Sequence, residues 1–173
     1  MKVIDVFSGR RGFSRAFTER GHDVLTIDAD PSFNPDICGD VRDISLPPRF
    51  DTFLAAPPCT EFSKFGLPDS WWPEKTPPSL ELVQETRRLR IESGAKWWVI
   101  ENVKGAVRFL NPVLGHYTKR VGSRYLWGDF PPFYSRPKFG KWRLGPARDR
   151  AARRAEIPFE ISWGLCVAME AFA

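Results

Sequence analysis

Residues 56–63 place a cysteine, Cys59, directly after two prolines. Proline fixes φ and biases the preceding residue toward extended backbone, so Pro57 and Pro58 give the thiol a stiff mount. A nucleophilic cysteine needs thiolate character, which a helix N-terminus or a nearby cation such as Lys64 supplies. The segment taken alone also allows a second interpretation, a buried structural cysteine beside a proline turn.

A carboxyl group ends the otherwise apolar segment Lys-Trp-Trp-Val-Ile-Glu at residues 96–101. Water solvates an acid at the tip of such a strand poorly, so we expect a raised pKa for Glu101. A carboxyl that holds its proton near neutrality can donate that proton to a ring nitrogen. The alternative interpretation is an acid at the start of a helix, paired with an arginine.

A glycine-containing turn, Phe-Ser-Gly-Arg-Arg-Gly at residues 7–12, follows the first apolar segment of the chain. Such turns let a ligand approach backbone amides and the N-terminus of the following helix. Asp28 ends the second apolar segment, as the ribose-binding acid does in many nucleoside-cofactor folds. Both features occur in many α/β proteins, so they indicate little by themselves.

These residues need a scaffold, and hydrophobic periodicity predicts one of alternating strands and helices. Strands are predicted over residues 2–7, 23–27, 50–55, 96–101 and 124–127, and helices over residues 10–21, 79–94 and 158–172. This alternation predicts an α/β fold with a mostly parallel sheet and helices on both faces. In such sheets ligands bind beyond the carboxyl ends of the strands, and each residue singled out above follows a predicted strand.

The composition of the 173-residue chain is that of a globular domain, with 42% hydrophobic and 27% charged residues. No apolar run reaches the roughly 18 residues that a membrane span needs, and no targeting segment is recognised. A cytoplasmic location is therefore expected. Three cysteines without a Cys-x-x-Cys pair, and only two histidines, argue against a disulfide framework and against a metal site.

The net charge is +5, and residues 136–154 carry eight basic residues against the single acid Asp149. A surface that contacts nucleic-acid phosphates is one interpretation of this stretch. A solvated loop and helix face is the other. The residues predicted to contact nucleic acid are Ser63, Lys64, Arg136, Lys138, Lys141, Arg143 and Arg148.

Three segments together resemble the DNA (cytosine-5) methyltransferase family. Residues 5–9, Asp-Val-Phe-Ser-Gly, are similar to the family's cofactor motif after the first strand. Residues 57–63 resemble its Pro-Pro-Cys-x-x-Phe-Ser nucleophile loop, and residues 101–105 resemble its Glu-Asn-Val-x-Gly motif. All three occur in the family's order, and the likeness covers about residues 2–128 and 155–172.

The resemblance implies a single Rossmann-like, S-adenosylmethionine-dependent methyltransferase domain over residues 1–173, with S-adenosylmethionine as cofactor and no metal. Asp28 falls where the family binds the cofactor ribose, Asp40 where it meets the adenine, and residues 157–162 resemble the helix that closes the pocket. The implied cofactor-binding residues are Phe7, Ser8, Gly9, Arg11, Gly12, Asp28, Asp40 and Pro57.

The resemblance also implies a mechanism in which Cys59 attacks C6 of cytosine while Glu101 donates a proton to N3. C5 then accepts a methyl group, and loss of the C5 proton and of Cys59 restores the ring. Asn102 is expected to orient Glu101 or the base. Arg124 resembles a family arginine that contacts the cytosine carbonyl, and the neighbouring basic residues Lys119 and Arg120 are the alternatives.

Two features depart from the family's pattern. Arg11 stands at the second glycine position of the turn, where it could pair with the cofactor carboxylate, point away or accommodate a modified cofactor. Only 28 residues, 129–156, replace a target-recognition domain of roughly a hundred residues, and so short a basic insert cannot build its own core. Weak sequence specificity, or specificity supplied by a partner subunit, is therefore expected.

DNA is the expected substrate, either single-stranded or as a duplex from which the target base is flipped. The alternatives are the same chemistry on RNA or a free cytosine nucleotide, and a non-catalytic nucleic-acid-binding subunit of a split methyltransferase. In its short length and short insert, the chain is similar to small methyltransferases of phages and restriction-modification systems. This similarity suggests a bacterial or phage-infected host cell.

Overall fold

The computed structural model describes residues 1–65, 70–71, 76–137 and 156–172. Seven strands are found in these residues: β1 (Lys2–Val6), β2 (Asp23–Asp28), β3 (Ile37–Cys38), β4 (Thr52–Ala55), β5 (Trp97–Val103), β6 (Lys119–Val121) and β7 (Arg124–Asp129). They form one sheet in the order β3-β2-β1-β4-β5-β7-β6. The first five strands in the chain pair in parallel, and β7 pairs antiparallel with both β5 and β6.

Five α-helices lie in the described residues: α1 (Arg15–Glu19), α2 (Thr60–Phe65), α3 (Glu81–Ser93), α4 (Val107–Leu114) and α5 (Phe159–Glu170). Because side chains alternate along a strand, each strand feeds two hydrophobic cores. Ile4, Phe53 and Ile100 pack on one face beneath α3 and α4. Their strand neighbours Val3, Leu54 and Val99 pack on the other face beneath α1 and α5.

The strand order reverses direction between β1 and β4, and such a switch point leaves a crevice at the carboxyl ends of the strands. The chain leaves β1 into the glycine turn and leaves β4 into the Pro-Pro-Cys segment. The two segments therefore meet beyond the carboxyl ends of these two neighbouring strands. Within the described residues, no helix is long and apolar enough to cross a membrane.

The predicted α/β architecture is confirmed, with local corrections. The first helix does not begin at residue 10, because residues 9–14 form turns and α1 starts only at Arg15. The α3 helix begins at Glu81 rather than at residue 79, although the Ser79 hydroxyl accepts a hydrogen bond from the Glu81 N–H at 3.3 Å. Gly94 ends α3 in the left-handed conformation, as expected.

Candidate active site

A cavity of about 560 Å³ opens at the switch point, at the carboxyl ends of β1, β2 and β4. Six of the eight residues predicted to bind a cofactor line it: Phe7, Ser8, Gly9, Gly12, Asp28 and Asp40. Its volume lies within the range of small-molecule sites, about 300–1,000 Å³. The glycine turn and the two acids predicted from sequence therefore share one cavity.

The glycine turn is held against the end of β2 by the Asp28 carboxylate. Oδ2 of Asp28 accepts a hydrogen bond from the Gly9 N–H at 2.8 Å, and Oδ1 accepts one from the Asp30 N–H at 2.9 Å. The turn itself contains residues with positive φ, 58° at Phe7 and 45° at Gly9. Left-handed backbone at a residue other than glycine stores strain, which concentrates at ligand sites.

Asp40 lies on the cavity wall, at the start of a short 3₁₀ helix. Its carboxylate accepts hydrogen bonds from the Arg42 backbone N–H at 3.0 Å and from Arg42 Nε at 2.9 Å. The Arg42 guanidinium lowers the pKa of Asp40 to about 2, so this wall carries a fixed ion pair. Arg42 itself also lines the cavity and was not predicted from sequence.

Two of the predicted cofactor-binding residues do not line this cavity. Arg11 turns away from it: Nη2 donates a hydrogen bond to the Asn34 carbonyl at 2.7 Å. Pro57 is buried, and its carbonyl accepts a hydrogen bond from Asn102, so Pro58 and not Pro57 lines the wall. Both predictions followed the order of residues in a motif, which does not show the direction in which each side chain points.

Gly12, the last glycine of the turn, lies against the segment that leads into α5. A Cβ atom at Gly12 would lie 2.7 Å from the Ile157 carbonyl oxygen and 2.8 Å from the Ile157 nitrogen. Nearby, Arg10 Nε and Glu156 Oε2 form an ion pair at 3.3 Å. The α5 entry thus packs directly on the glycine turn, and only glycine allows this approach.

Two buried polar groups in the cavity wall have no hydrogen-bond partner in the described part of the chain. They are Asp5 Oδ1 and Ser8 Oγ. The other oxygen of Asp5 accepts a hydrogen bond from the Ser14 hydroxyl at 2.6 Å, and burial raises the pKa of Asp5 to about 7. Because unsatisfied buried polar atoms are costly, these two atoms fit a polar ligand with donor groups, such as S-adenosylmethionine.

Asp5 was not among the residues predicted from sequence to bind a ligand. The sequence did contain an indication of this role. An acid among the apolar residues of the strand Lys-Val-Ile-Asp-Val is poorly compatible with a core position. The side chain is 1% exposed. A buried acid beside a ligand cavity is a candidate functional group.

Cys59 lies on the same cavity wall, between the end of β4 and the start of α2. The thiol is half-buried, and burial together with the negative charge of Glu101 raises its pKa. The positive charge of Arg124 and a hydrogen bond from the Ser63 hydroxyl act in the opposite direction and favour the thiolate. Cys59, Glu101 and Arg124 are therefore close enough to influence each other's charge state.

Glu101 and Arg124 form a buried ion pair, with Nη1 of Arg124 3.1 Å from Oε1 of Glu101. Burial raises the pKa of Glu101, and Arg124 partly offsets this effect. Nη2 of Arg124 also donates a hydrogen bond to the Glu156 carbonyl at 3.0 Å. Glu101 lies inside β5, which continues to Val103, and not at the strand's tip as predicted, because β7 pairs with β5 as far as Val103.

Asn102 has a different role from the predicted one. Its Nδ2 donates a hydrogen bond to the Pro57 carbonyl at 3.1 Å, and its Oδ1 accepts one from the Val103 N–H at 2.9 Å. Since consecutive strand residues point to opposite faces, Asn102 faces away from Glu101. It therefore anchors the segment that carries Cys59 and does not orient Glu101.

Of the residues predicted to contact nucleic acid, Ser63 and Lys64 are exposed on α2. Arg136 is exposed, with its guanidinium carbon 5.3 Å from the centre of the Tyr134 ring. Lys138, Lys141, Arg143 and Arg148 lie outside the described residues.

A cluster that includes a histidine lies elsewhere, on α5 and on the connection between α1 and β2. The ligand atoms of His22, Cys166 and Glu170 lie within 4.8 Å of one another. The Glu170 carboxylate is already paired with Arg20 at 2.6 Å and with His22 at 2.9 Å. A cation at this cluster would have to displace the arginine.

Several solved structures similar to this one are described as methyltransferases. A chain assigned as a DNA modification methyltransferase encoded within an E. coli prophage is 21% identical, with a TM-score of 0.50 over 74% of this chain and 46% of that one. A SAM-dependent methyltransferase from Aquifex aeolicus is 16% identical, with a TM-score of 0.45 over 74% and 79%. The S. pombe Dnmt2 methyltransferase is 13% identical, with a TM-score of 0.44 over 74% and 48%.

The similarity to the prophage-encoded chain confirms the predicted Rossmann-like methyltransferase fold. The chain spans less than half the length of that structure. No curated protein sequence matches the chain. The model of the C-5 cytosine-specific DNA methylase family matches residues 1–119, which include both Cys59 and Glu101, and the chain therefore belongs to this family.

Proposed function

We propose that the chain transfers a methyl group to C5 of cytosine in DNA, through a covalent bond between Cys59 and C6. The proposal rests on one observation. Cys59, on the wall of the cavity at the sheet's switch point, lies within electrostatic reach of the buried Glu101–Arg124 pair. Family membership supports cytosine as the base and DNA as its context.

Cys59 acts as the nucleophile in this proposal. Its thiolate forms a bond to C6, and Glu101 gives its proton to N3, so that electron density develops at C5. Burial raises the pKa of Glu101, which favours the protonated carboxyl, and a protonated Glu101 no longer opposes ionisation of the thiol. Burial also raises the pKa of Cys59, and the positive charge of Arg124 favours the thiolate against this effect.

Arg124 stabilises the carboxylate that Glu101 becomes after it gives up its proton. Its guanidinium is fixed from both sides, by Glu101 and by the Glu156 carbonyl. A fixed charge aimed at a developing charge needs no reorganisation during the reaction. Once C5 is methylated, the C5 proton is lost to solvent, and its bonding electrons form the C5–C6 double bond as Cys59 leaves as a thiolate. Return of the N3 proton to the Glu101 carboxylate restores the neutral ring.

S-adenosylmethionine is the proposed cofactor, and when bound it supplies the electrophilic methyl group. Phe7, Ser8, Gly9 and Gly12 from the turn would hold it, together with Asp5, Asp28 and Asp40 from the surrounding wall. The buried and unpartnered Asp5 Oδ1 suits a cationic ligand. Arg42 keeps Asp40 ionised, so a hydrogen-bond acceptor is retained on that wall.

We further propose that residues 1–173 form one catalytic domain in which residues 129–156 are a short basic insert. An insert of 28 residues is too short for a recognition domain with its own core, so sequence specificity would be low or supplied by a partner subunit. The insert's basic residues would then contribute phosphate contacts without base-specific readout.

The test is covalent trapping on a DNA oligonucleotide with 5-fluorocytosine at a single position, in the presence of S-adenosylmethionine. Fluorine at C5 blocks the last step, so an adduct that survives denaturation is expected, with Cys59 identified by peptide mass spectrometry. The Cys59→Ser variant should give no adduct. Cys38→Ser is the matched control, because Cys38 is an exposed thiol outside the cavity, and should react like the wild type.

A substrate panel separates the remaining assignments. Tritium transfer from labelled cofactor is measured on duplex DNA, single-stranded DNA, RNA and dCMP in parallel. Transfer to DNA that requires Cys59 supports the proposal. Labelling confined to RNA or dCMP overturns the DNA substrate, and the absence of any adduct or label overturns catalysis by this chain alone.

A further inference from the structure

A second depression, of about 1230 Å³, runs beside α2 and is bounded by α4 and β7. Among the described residues it shares no lining side chain with the cofactor cavity. Its volume exceeds the upper end of small-molecule sites, about 1,000 Å³, and it is open to solvent along one side. An extended polymer fits such a groove better than a compact ligand.

The charges along this groove are all positive. Lys104, Arg108 and Arg120 line it, and no acidic residue is among the described side chains that do so. All three are exposed. A row of cations without neutralising acids is complementary to a phosphate backbone.

Aromatic rings are interleaved with these cations. The guanidinium of Arg108 lies 4.2 Å from the centre of the Phe65 ring, and that of Arg120 lies 5.5 Å from the centre of the Tyr125 ring. Tyr117 stands edge-on to Tyr125 at 4.9 Å and is itself 39% exposed. An exposed ring beside cations, as at Tyr117, is an arrangement on which an unpaired base stacks.

The groove reaches the proposed nucleophile through one residue. Ser63 lines the groove, and its backbone N–H donates a hydrogen bond to the Cys59 carbonyl at 2.9 Å. The floor near Ser63 is tightly packed, because a Cβ atom at Gly105 would lie 2.3 Å from the Phe62 carbonyl oxygen. The groove therefore has a fixed position relative to Cys59.

We propose that this groove binds single-stranded DNA on the flank of the target cytosine, with Lys104, Arg108 and Arg120 on phosphates and Tyr117 stacked on a base. The inference rests on the proposed function for its choice of DNA. A single strand is favoured because the bases of a duplex are already stacked on each other and leave no face for Tyr117 to stack on. The groove then substitutes for part of the binding surface that the short insert lacks.

Binding is measured by fluorescence anisotropy with a labelled thymidine oligonucleotide of about 15 nucleotides, without cofactor, on the full chain. The Tyr117→Ala variant should bind about tenfold more weakly, and Tyr117→Phe should restore the affinity because it keeps the ring. Combined Lys104→Gln, Arg108→Gln and Arg120→Gln substitutions should reduce the slope of log K against log salt by roughly 2.

Two variants serve as matched controls. Trp163→Ala removes an exposed ring that also carries a stacked arginine, Arg20, but there the arginine is paired with Glu170. Arg49→Ala removes an exposed arginine stacked on Phe50, just before the amino end of β4 and away from the carboxyl end that leads to α2. Both should bind the oligonucleotide like the wild type, and every variant should melt within a few degrees of it.

Unchanged affinity in the Tyr117→Ala and triple variants overturns the groove as a strand-binding surface. Equal affinity for duplex DNA, unaffected by Tyr117→Ala, overturns the single strand, and tenfold tighter binding of a uridine oligoribonucleotide overturns DNA. These readouts need no catalysis, so they separate the two proposals. Methyl transfer that is normal in the groove variants refutes the groove alone, whereas groove binding without transfer on any substrate refutes the proposed reaction alone.

Discussion

Arg124 Nη1 lies 3.1 Å from Glu101 Oε1, and this buried ion pair joins the antiparallel neighbours β5 and β7. The two residues are diagonal neighbours across the ladder, because Arg124 stands opposite Val103 and Glu101 opposite Leu126. Both charges also act on Cys59, with opposite signs. The pair therefore influences the pKa of the Cys59 thiol and also links the two strands.

The first prediction concerns the pH profile of Cys59 alkylation by iodoacetamide. Glu101→Gln removes a negative charge that raises the pKa of Cys59, so the thiolate should form at lower pH and the profile should shift to lower pH. Arg124→Gln removes a charge that lowers this pKa, so the profile should shift to higher pH. Rates are read from the Cys59 peptide by mass spectrometry over a pH series.

The exposed Cys38 provides the internal reference, since its peptide is alkylated in the same reaction and its rate should not change between variants. Shifts of the same sign in both variants would mean that the substitutions act through packing. In that case the electrostatic coupling of Cys59 to the ion pair is refuted.

The second prediction concerns Asn102, whose amide ties β5 to the carbonyl of Pro57. Asn102→Ala leaves that buried carbonyl without its partner and should lower the free energy of unfolding by about 1–3 kcal/mol. Because Cys59 is two residues from Pro57, the thiol should also lose its fixed position. Formation of the 5-fluorocytosine adduct should slow by roughly 10- to 100-fold.

Ser93→Ala is a matched control for this loss. Ser93 is buried at the end of α3 and makes two hydrogen bonds with backbone groups, to the Arg90 carbonyl at 2.7 Å and from the Ala95 N–H at 3.3 Å. It should lower stability by a similar amount and leave adduct formation unchanged. Equal slowing in both variants would assign the Asn102 effect to general destabilisation.

The sequence predicted the central strands well because their apolar runs are continuous. β1, β2, β4 and β5 were placed to within two residues at each end, and the segments that follow β1, β2 and β4 meet at the cavity. The edge of the sheet was harder, since β6 has three residues, and its hairpin with β7 makes the pairing beside β5 antiparallel. That antiparallel partner extends β5 past Glu101, which an apolar pattern ending at residue 101 does not show.

Side-chain direction accounts for the differences between the motif-based assignments and the contacts in the structure. Motif order put Arg11 and Pro57 on the cofactor and Asn102 on Glu101, but the turn geometry and strand alternation point all three elsewhere. Conversely, Asp5 is hidden in an apolar strand, and its position in the cavity wall depends on where Ser14 and α1 pack. The residue types predicted the chemistry of the site, whereas tertiary contacts determine which side chains lie together in it.

The third prediction concerns Asp5, whose pKa is about 7 in the folded protein against an ordinary value of 3.8. Between these values the folded protein keeps a proton that the unfolded chain has lost. The contribution of Asp5 to stability is therefore fully present below about pH 4 and is lost as the pH rises through about 7. Asp5→Asn should be more stable than the wild type at pH 8, by up to about 4 kcal/mol, with the difference shrinking toward pH 4.

Urea unfolding of both proteins at several pH values measures this difference. Asp23→Asn, which removes an exposed carboxyl on the neighbouring strand β2, should track the wild type at every pH. Parallel stability curves for Asp5→Asn and the wild type would contradict the raised pKa of Asp5. The stabilised variant should also bind S-adenosylmethionine more weakly, because the acceptor that faces the cavity loses its charge.

The fourth prediction concerns Arg11, the residue that departs from the family's glycine pattern. Its φ is 60°, a left-handed conformation that costs a residue with a side chain roughly 1–2 kcal/mol and costs glycine little. Arg11→Gly removes this strain but also the hydrogen bond to the Asn34 carbonyl, worth about 1 kcal/mol. The free energy of unfolding should therefore change by less than about 1 kcal/mol.

Cofactor binding separates the interpretations of Arg11. Its guanidinium points away from the cavity, so calorimetry should give Arg11→Gly a dissociation constant for S-adenosylmethionine within about twofold of the wild type. Gly12→Ala is the contrasting variant, because its Cβ would press on the Ile157 backbone and shift the entry of α5, which should weaken binding strongly. A tenfold loss of affinity in Arg11→Gly would instead place the arginine side chain on the cofactor.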